Sequence, residues 1–297
     1  MKKIAFYSIF IFLTLGFLPV FAQEESEEYS TGRRDVLYDD IHASQKKPIP
    51  LPYLRPADVV WEQVVWRTID LKQRFNQYFY YPTTEEDAQG RVNFMNAIWK
   101  AVQDGKIKVY EDDEFKIAKD FFSLENEFNR IDTFYTDLED DDGNYVGQQM
   151  NFRRESFENV AKDFNKINIK ERWYIDKART EQNVRIVGIS FVRDIYREND
   201  MGEMEFRGIK PFGWIRMEAP GVRELLAQTQ AYNEYNDAAW FNYDDVFLRR
   251  YFESFITRIS NTSNSRIEQR MTGVDVLVEA EKLENDLLNK ELDMWEW

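Results

Sequence analysis

The chain has 297 residues, with 54 Asp and Glu against 39 Lys and Arg, a net charge of −15, one histidine and no cysteine. Disulfides, thiolate metal sites and a cysteine nucleophile are excluded, and a zinc site of His ligands cannot be built from one imidazole. So acidic a surface is also a poor match for nucleic acid, whose binding draws on phosphate neutralisation by Lys and Arg.

The sequence begins Met1-Lys2-Lys3, continues in an apolar run from Ile4 to Val20, and reaches Val20-Phe21-Ala22 before an acidic stretch. A basic start, a short apolar run and small residues ahead of a cut define a secretory signal, with cleavage expected after Ala22. No cysteine is available to carry a lipid, and no later run approaches 18 apolar residues. The expectation is an exported protein without a membrane span.

Residues 23–54 read as an extended arm ending in Lys46-Lys47-Pro48-Ile49-Pro50-Leu51-Pro52, whose alternating prolines disfavour a helix. Such an arm is either a linker or a strap that docks on a neighbour. After Pro56, Val60, Val64, Leu71, Phe75 and Phe79 recur at helical spacing, so a helix is expected up to Pro82. A second helix is expected over Val92–Gln103, capped by Gly105, followed by a short strand over Lys106–Tyr110.

The pattern weakens from Glu111 to Lys170. The acidic run from Asp137 to Asn144 is expected as a solvated turn, and Phe152–Phe164 as a short helix. Strands are expected over Glu171–Asp176, Val184–Tyr196 and Pro211–Met217, with Gly188 marking a bulge and Asn199–Gly202 a turn. Helices return over Pro220–Tyr232 and Tyr243–Ile259. Asn261–Ser265 is a polar break, and Val274–Trp297 forms a charged helical tail.

The fold class is therefore α+β: amphipathic helices flank a mainly antiparallel sheet, with an extended N-terminal arm and a helical C-terminal tail. The organisation reads as a signal peptide over 1–22, the Pro-rich arm over 23–54 and a helical N-terminal half over 55–135. An acidic linker or insert over 136–169, a strand-rich half over 170–260 and the tail over 261–297 follow.

Catalytic constellations are absent from the sequence. The sole His42 lies in the arm, a poor place to hold an imidazole against a nucleophile. Gly188-Ile189-Ser190-Phe191-Val192 lacks the second glycine of a nucleophile elbow, and no Gly-rich phosphate loop occurs. An EF-hand over the acidic turn would need oxygen ligands where Leu138 and Gln149 stand. Carboxylate pairs are plentiful, so a glycan-binding or glycan-cleaving protein is the enzymatic alternative.

The aromatic content, 16%, points instead toward contact surfaces as well as core. Trp61 and Trp66, five apart, fall on different sides of the expected helix, and Trp66 is a candidate partner contact. Trp295 and Trp297 at the terminus are two more, because chain ends are ordinarily polar.

Arg55-Pro56-Ala57-Asp58-Val59-Val60-Trp61, Val65-Trp66-Arg67-Thr68-Ile69-Asp70-Leu71 and Phe79-Tyr80-Tyr81-Pro82 resemble the N-terminal signature of the GldN/PorN family. Asp104-Gly105-Lys106-Ile107, Glu171-Arg172-Trp173, Arg185–Ile189 and Asn236-Asp237-Ala238-Ala239, leading to Tyr243–Phe247 and Arg250-Tyr251-Phe252, continue it in order through residues 55–261. The resemblance implies a non-enzymatic periplasmic component of the type IX secretion and gliding machinery of Bacteroidetes, with no cofactor. It further implies a ring formed with a GldK/PorK-like outer-membrane lipoprotein, and contact with the periplasmic region of a GldM/PorM-like inner-membrane motor protein. A place on the periplasmic side of the outer membrane, held there by partners, follows from it.

Overall fold

The computed structural model describes residues 46–83, 91–128, 130–139, 145–155, 164–179, 181–198, 204–219, 221–234, 236 and 241–295. Its frame is a six-stranded antiparallel sheet in the order β2-β7-β6-β5-β1-β8. The strands are β1 (Val59–Asp70), β2 (Val109–Tyr110), β5 (Phe164–Asp176), β6 (Glu181–Glu198), β7 (Met204–Arg216) and β8 (Phe255–Ile259). A separate hairpin pairs β3 (Arg130–Glu139) with β4 (Tyr145–Glu155). Helices are α1 (Phe94–Gln103), α2 (Phe121–Phe128), α3 (Val222–Gln228), α4 (Tyr243–Leu248) and α5 (Val274–Trp295). The α+β class is as expected. The signal and most of the arm, residues 1–45, lie outside the described residues, as do Pro220 and the Asn199–Gly202 turn except for the start of β7 beyond it.

The expected helix from Pro56 to Pro82 is instead a strand followed by a 3-10 turn. Six of the twelve β1 residues are Val, Ile or Thr and two more are Trp, a composition that sits well on a pleated surface and loses side-chain freedom in a helix. Pairing along nearly its whole length with β5, from Val59 opposite Asp176 to Asp70 opposite Lys166, decides the matter. Helical spacing survives only at Arg74–Phe79, where a 3-10 turn buries Tyr78 and Phe79.

The expected helix over Tyr243–Ile259 likewise splits. It stops at Leu248, Arg250 turns the chain with φ of 53°, and Phe255–Ile259 pairs with β1 as the edge strand β8. A non-glycine residue rarely holds such a φ; here the Arg250 guanidinium is fixed by Glu171 Oε1 at 2.6 Å and lies over the Trp173 and Phe252 rings.

Between the halves, the acidic turn extends into the β3–β4 hairpin, residues 140–144 lying outside the described set. Most of the short helix expected over Phe152–Phe164, residues 156–163, lies outside the described residues; Phe152–Glu155 close β4 and Phe164 opens β5. The Gly105 cap is as expected. With φ of 70°, it turns α1 so that Lys106 N–H donates to the Ala101 carbonyl at 2.9 Å. The bulge also falls where glycine marked it: Lys170 faces Gly188 and Glu171 faces Ile186, leaving Val187 extra.

One sheet face carries the core, in two clusters. The larger brings α1, α2, α3 and α4 onto Ile69, Ile167, Ile169, Ile189 and Phe191, with Phe94 centred 4.5 Å from Tyr243 and Phe128 5.3 Å from Phe212. The smaller packs α5 and a 3-10 turn at Ile267–Gln269 onto Val65, Trp173, Ile256 and Ile259.

Between the clusters runs a polar seam. Arg67, nearly fully buried, donates to Ser254 Oγ at 2.8 Å and to Glu284 of α5 at 2.8 Å. Beside it the fully buried Glu171 accepts from Arg250 and from Trp173 Nε1 at 2.9 Å. Burying these charges is tolerable only because each has a partner; the seam fixes where the tail helix sits on the sheet.

Candidate interaction surfaces

The second sheet face begins at Trp66. Strand alternation and register line up Trp66 with Lys170 and Gly188, and Thr68 with Asn168, Ser190 and Trp214. The loop from Glu111 to Ile117 folds back across this face. Its Asp113 accepts from Trp66 Nε1 at 2.8 Å and from Arg258 at 3.2 Å, while Lys170 Nζ donates to the Asp113 carbonyl at 2.6 Å.

Arg258 stacks 3.5 Å above the Trp66 ring, and Lys170 lies 5.5 Å from it, both in cation–π range. Burial pulls the Arg258 guanidinium below its ordinary pKa; Asp113 opposes this and Arg266 adds to it. Phe115, at φ of 58°, seats its ring where a Cβ on Gly188 would stand 2.6 Å away. Trp66 and Trp61 do point to opposite sides, by strand parity rather than helical phase. The Trp66 indole is half-buried and already satisfied within the chain.

Trp295 is the last residue of α5, and its side chain, like all of Trp297, lies outside the described residues. The helix itself is apolar on two sides. Val276, Ala280, Leu283 and Leu287, spaced four, three and four apart, pack inward on the smaller cluster. Val274, Leu277, Val278, Leu288 and Leu292 occupy the opposite side and are between 50% and 73% exposed. Trp295 continues the spacing of Leu288 and Leu292 by helical position. Seven acids and two lysines flank these stripes in α5. An outward stripe of this kind on an element already packed against a core is surplus to folding.

A third feature was not legible in the sequence. Phe75, Tyr78, Tyr81, Tyr232, Phe241 and Tyr251 line an open groove of about 1190 Å³. Phe75 is centred 4.8 Å from Tyr251 and Phe241 5.6 Å from it, so the rings brace one another. Arg74 pairs with Glu234 at 3.1 Å on the rim, and Arg249 and Glu253 complete it. Tyr78 donates to the Tyr251 carbonyl, and burial pushes its phenol, like that of Tyr243, well above the ordinary tyrosine pKa.

The groove is assembled from residues 73–82, 232–234, 241 and 249–253, so no local motif announces it; the run Phe79-Tyr80-Tyr81-Pro82 was the one available signal. A glycan reading would need carboxylates beside a Trp platform. Glu234 and Glu253 are present, yet the lining rings are Phe and Tyr, and Glu234 is committed to Arg74. Among the described residues no group of three or more His, Asp or Glu side chains is placed to hold a metal ion, and no helix is long and apolar enough to cross a membrane.

An outward apolar helix stripe and an open aromatic groove on an α+β frame leave apolar surface that the described fold does not cover, as in proteins that work through contacts. A family model described as gliding motility associated protein GldN matches residues 54–296. The chain belongs to the GldN family, structural components of the gliding-motility and type IX secretion machinery. No curated protein matches it.

Proposed function

We propose that this protein is a non-enzymatic periplasmic ring subunit of the type IX secretion and gliding apparatus. In this reading it binds a GldK/PorK-like outer-membrane lipoprotein and meets the periplasmic region of a GldM/PorM-like motor protein. The family match over residues 54–296 carries the reading. The outward stripe of α5 supports it, because a ring subunit needs apolar surface that its own fold does not use. Heterologous contacts between successive copies, or copies alternating with the lipoprotein, close a ring when the rotation per step divides the circle. The signal read at residues 1–22 supports export, and a place at the outer membrane then comes through the lipoprotein.

Among the named candidates, Trp295 continues the α5 stripe by helical position and fits this role better than Trp66, whose indole is held by Asp113. The test is affinity purification from solubilised envelopes at high salt, combined with a secretion assay in a deletion strain. Recovery of the chain with an outer-membrane lipoprotein, and loss of secretion on deletion, is the expected result. A lone monomer in the periplasmic fraction with normal secretion in the deletion strain rejects the reading.

A further inference from the structure

The aromatic groove has a candidate occupant within the chain. The strap ahead of β1 is tied down at two points. The Pro52 carbonyl accepts from Arg185 at 2.8 Å, and Lys46 Nζ lies 2.5 Å from Asp245 in the first turn of α4. Asp245 and Arg249 are four residues apart, with Arg249 N–H donating to the Asp245 carbonyl at 2.9 Å, so they neighbour each other along one side of the helix. Arg249 lines the groove. The chain upstream of Lys46 therefore departs about one helical turn from the groove wall.

The composition of that upstream stretch matches the groove. Residues 33–41 read Arg33-Arg34-Asp35-Val36-Leu37-Tyr38-Asp39-Asp40-Ile41, the most apolar run between the signal and Lys46. Asp39 and Asp40 are the acids closest to Lys46 in sequence, six or seven residues away and within about 25 Å of extended chain. They come within reach of Arg249, which has no ion pair among the described residues. Val36, Leu37 and Tyr38 supply the apolar side chains that would cover the half-exposed rings of Phe75, Tyr81 and Tyr251. Arg33 and Arg34 are complementary in charge to Glu253 on the groove rim. The segment's charges and apolar side chains complement those lining the groove, and the Lys46 anchor holds its downstream end nearby.

We infer that the groove holds residues 35–41 of the same chain, as an intramolecular ligand. A segment joined by a short run to an anchored residue acts at an effective concentration in the millimolar range. Modest contacts with the rings then suffice to keep it seated, and any external chain must compete with it. The inference concerns the isolated subunit and does not depend on the ring reading.

The test places a photoreactive phenylalanine analogue at position 37 of the full chain, purified without partners. Light and isotope-heavy copies are mixed before irradiation. The expected products are cross-links within one chain to residues 73–82, 232–234 or 241–253. Products joining light to heavy copies, products elsewhere in the chain, or no groove product would each overturn the inference. A second measurement leaves the folded part untouched. A labelled peptide of residues 33–45 should bind the full chain carrying V36S, L37S and Y38S at least about tenfold tighter than the unaltered chain, whose own segment competes. Equal binding to the two, or equal binding to the substituted chain with and without Y81A added, would equally overturn it.

Discussion

Replacing Leu288 and Leu292 with glutamine separates the two sides of α5. Both are outward, 50% and 63% exposed, and glutamine is as good a helix former as leucine. The isolated subunit should therefore keep its stability to within about 0.5 kcal/mol, as for other surface substitutions. Covering a fully exposed leucine is worth about 2 kcal/mol, so the exposed fractions leave roughly 2.3 kcal/mol between the two residues. At 1.4 kcal/mol per factor of ten, that is a loss of roughly 40-fold in affinity for whatever covers the stripe. The control is Leu287→Ala, one residue away and buried on the inner side, which should instead cost about 2–5 kcal/mol of folding stability. Thermal melts of the purified chains and the fraction sedimenting with solubilised envelope complexes give the two readouts. If the double glutamine variant melts like Leu287→Ala, or assembles like the unaltered chain, the assignment of the outward side as an interface is wrong.

Other outcomes follow from the seam, the core and the second sheet face. Arg250→Ala leaves the fully buried Glu171 without its cation and should cost about 3 kcal/mol; adding Glu171→Gln should recover more than half, measured by urea unfolding. Tyr78 and Tyr243 have pKa values raised by burial, so their neutral forms favour the fold. That contribution is intact below the unfolded tyrosine pKa of about 10 and is lost as pH climbs past it. Ultraviolet titration at high pH should show these two of the 16 tyrosines ionising only on unfolding. Gly188→Ala puts a Cβ 2.6 Å from the Phe115 ring, which should displace the Glu111–Ile117 loop at a cost of about 1–3 kcal/mol. A shift in tryptophan emission, as Asp113 leaves the Trp66 indole, would report it; an unchanged spectrum and melt would contradict the packing described.

The sheet was most legible in its interior strand β6. Val184–Tyr196 is dense in Val and Ile over a length no turn interrupts, and it forms the middle of β6. β1 misled because Val60, Val64, Leu71, Phe75 and Phe79 fit a helical stripe although they belong to a strand, a linker and a 3-10 turn. Residues four apart satisfy both periods, and only pairing with β5, about a hundred residues away, chooses between them. The Tyr243–Ile259 helix failed for a related reason. Its break rests on Arg250 holding a left-handed φ through a long-range pair with Glu171, which no local pattern announces. The tail helix was legible because its spacing is regular over 22 residues. That it is apolar on two sides became visible only when the fold claimed one of them. Trp66 was singled out as a candidate partner contact; within the chain its indole is held by Asp113, in a loop 47 residues on.

The central claim is that this GldN-family chain acts by being built into an envelope assembly. The most direct measurement puts a photoreactive side chain at position 288, on the outward side of α5, in the intact protein in living cells. The account predicts cross-linked products at the mass of the chain plus a neighbouring subunit, identified by mass spectrometry as a second copy, the lipoprotein or the motor protein. The same group at buried position 287 should give only intrachain products. Recovery of uncross-linked monomer alone from position 288, in cells that are secreting normally, would contradict it.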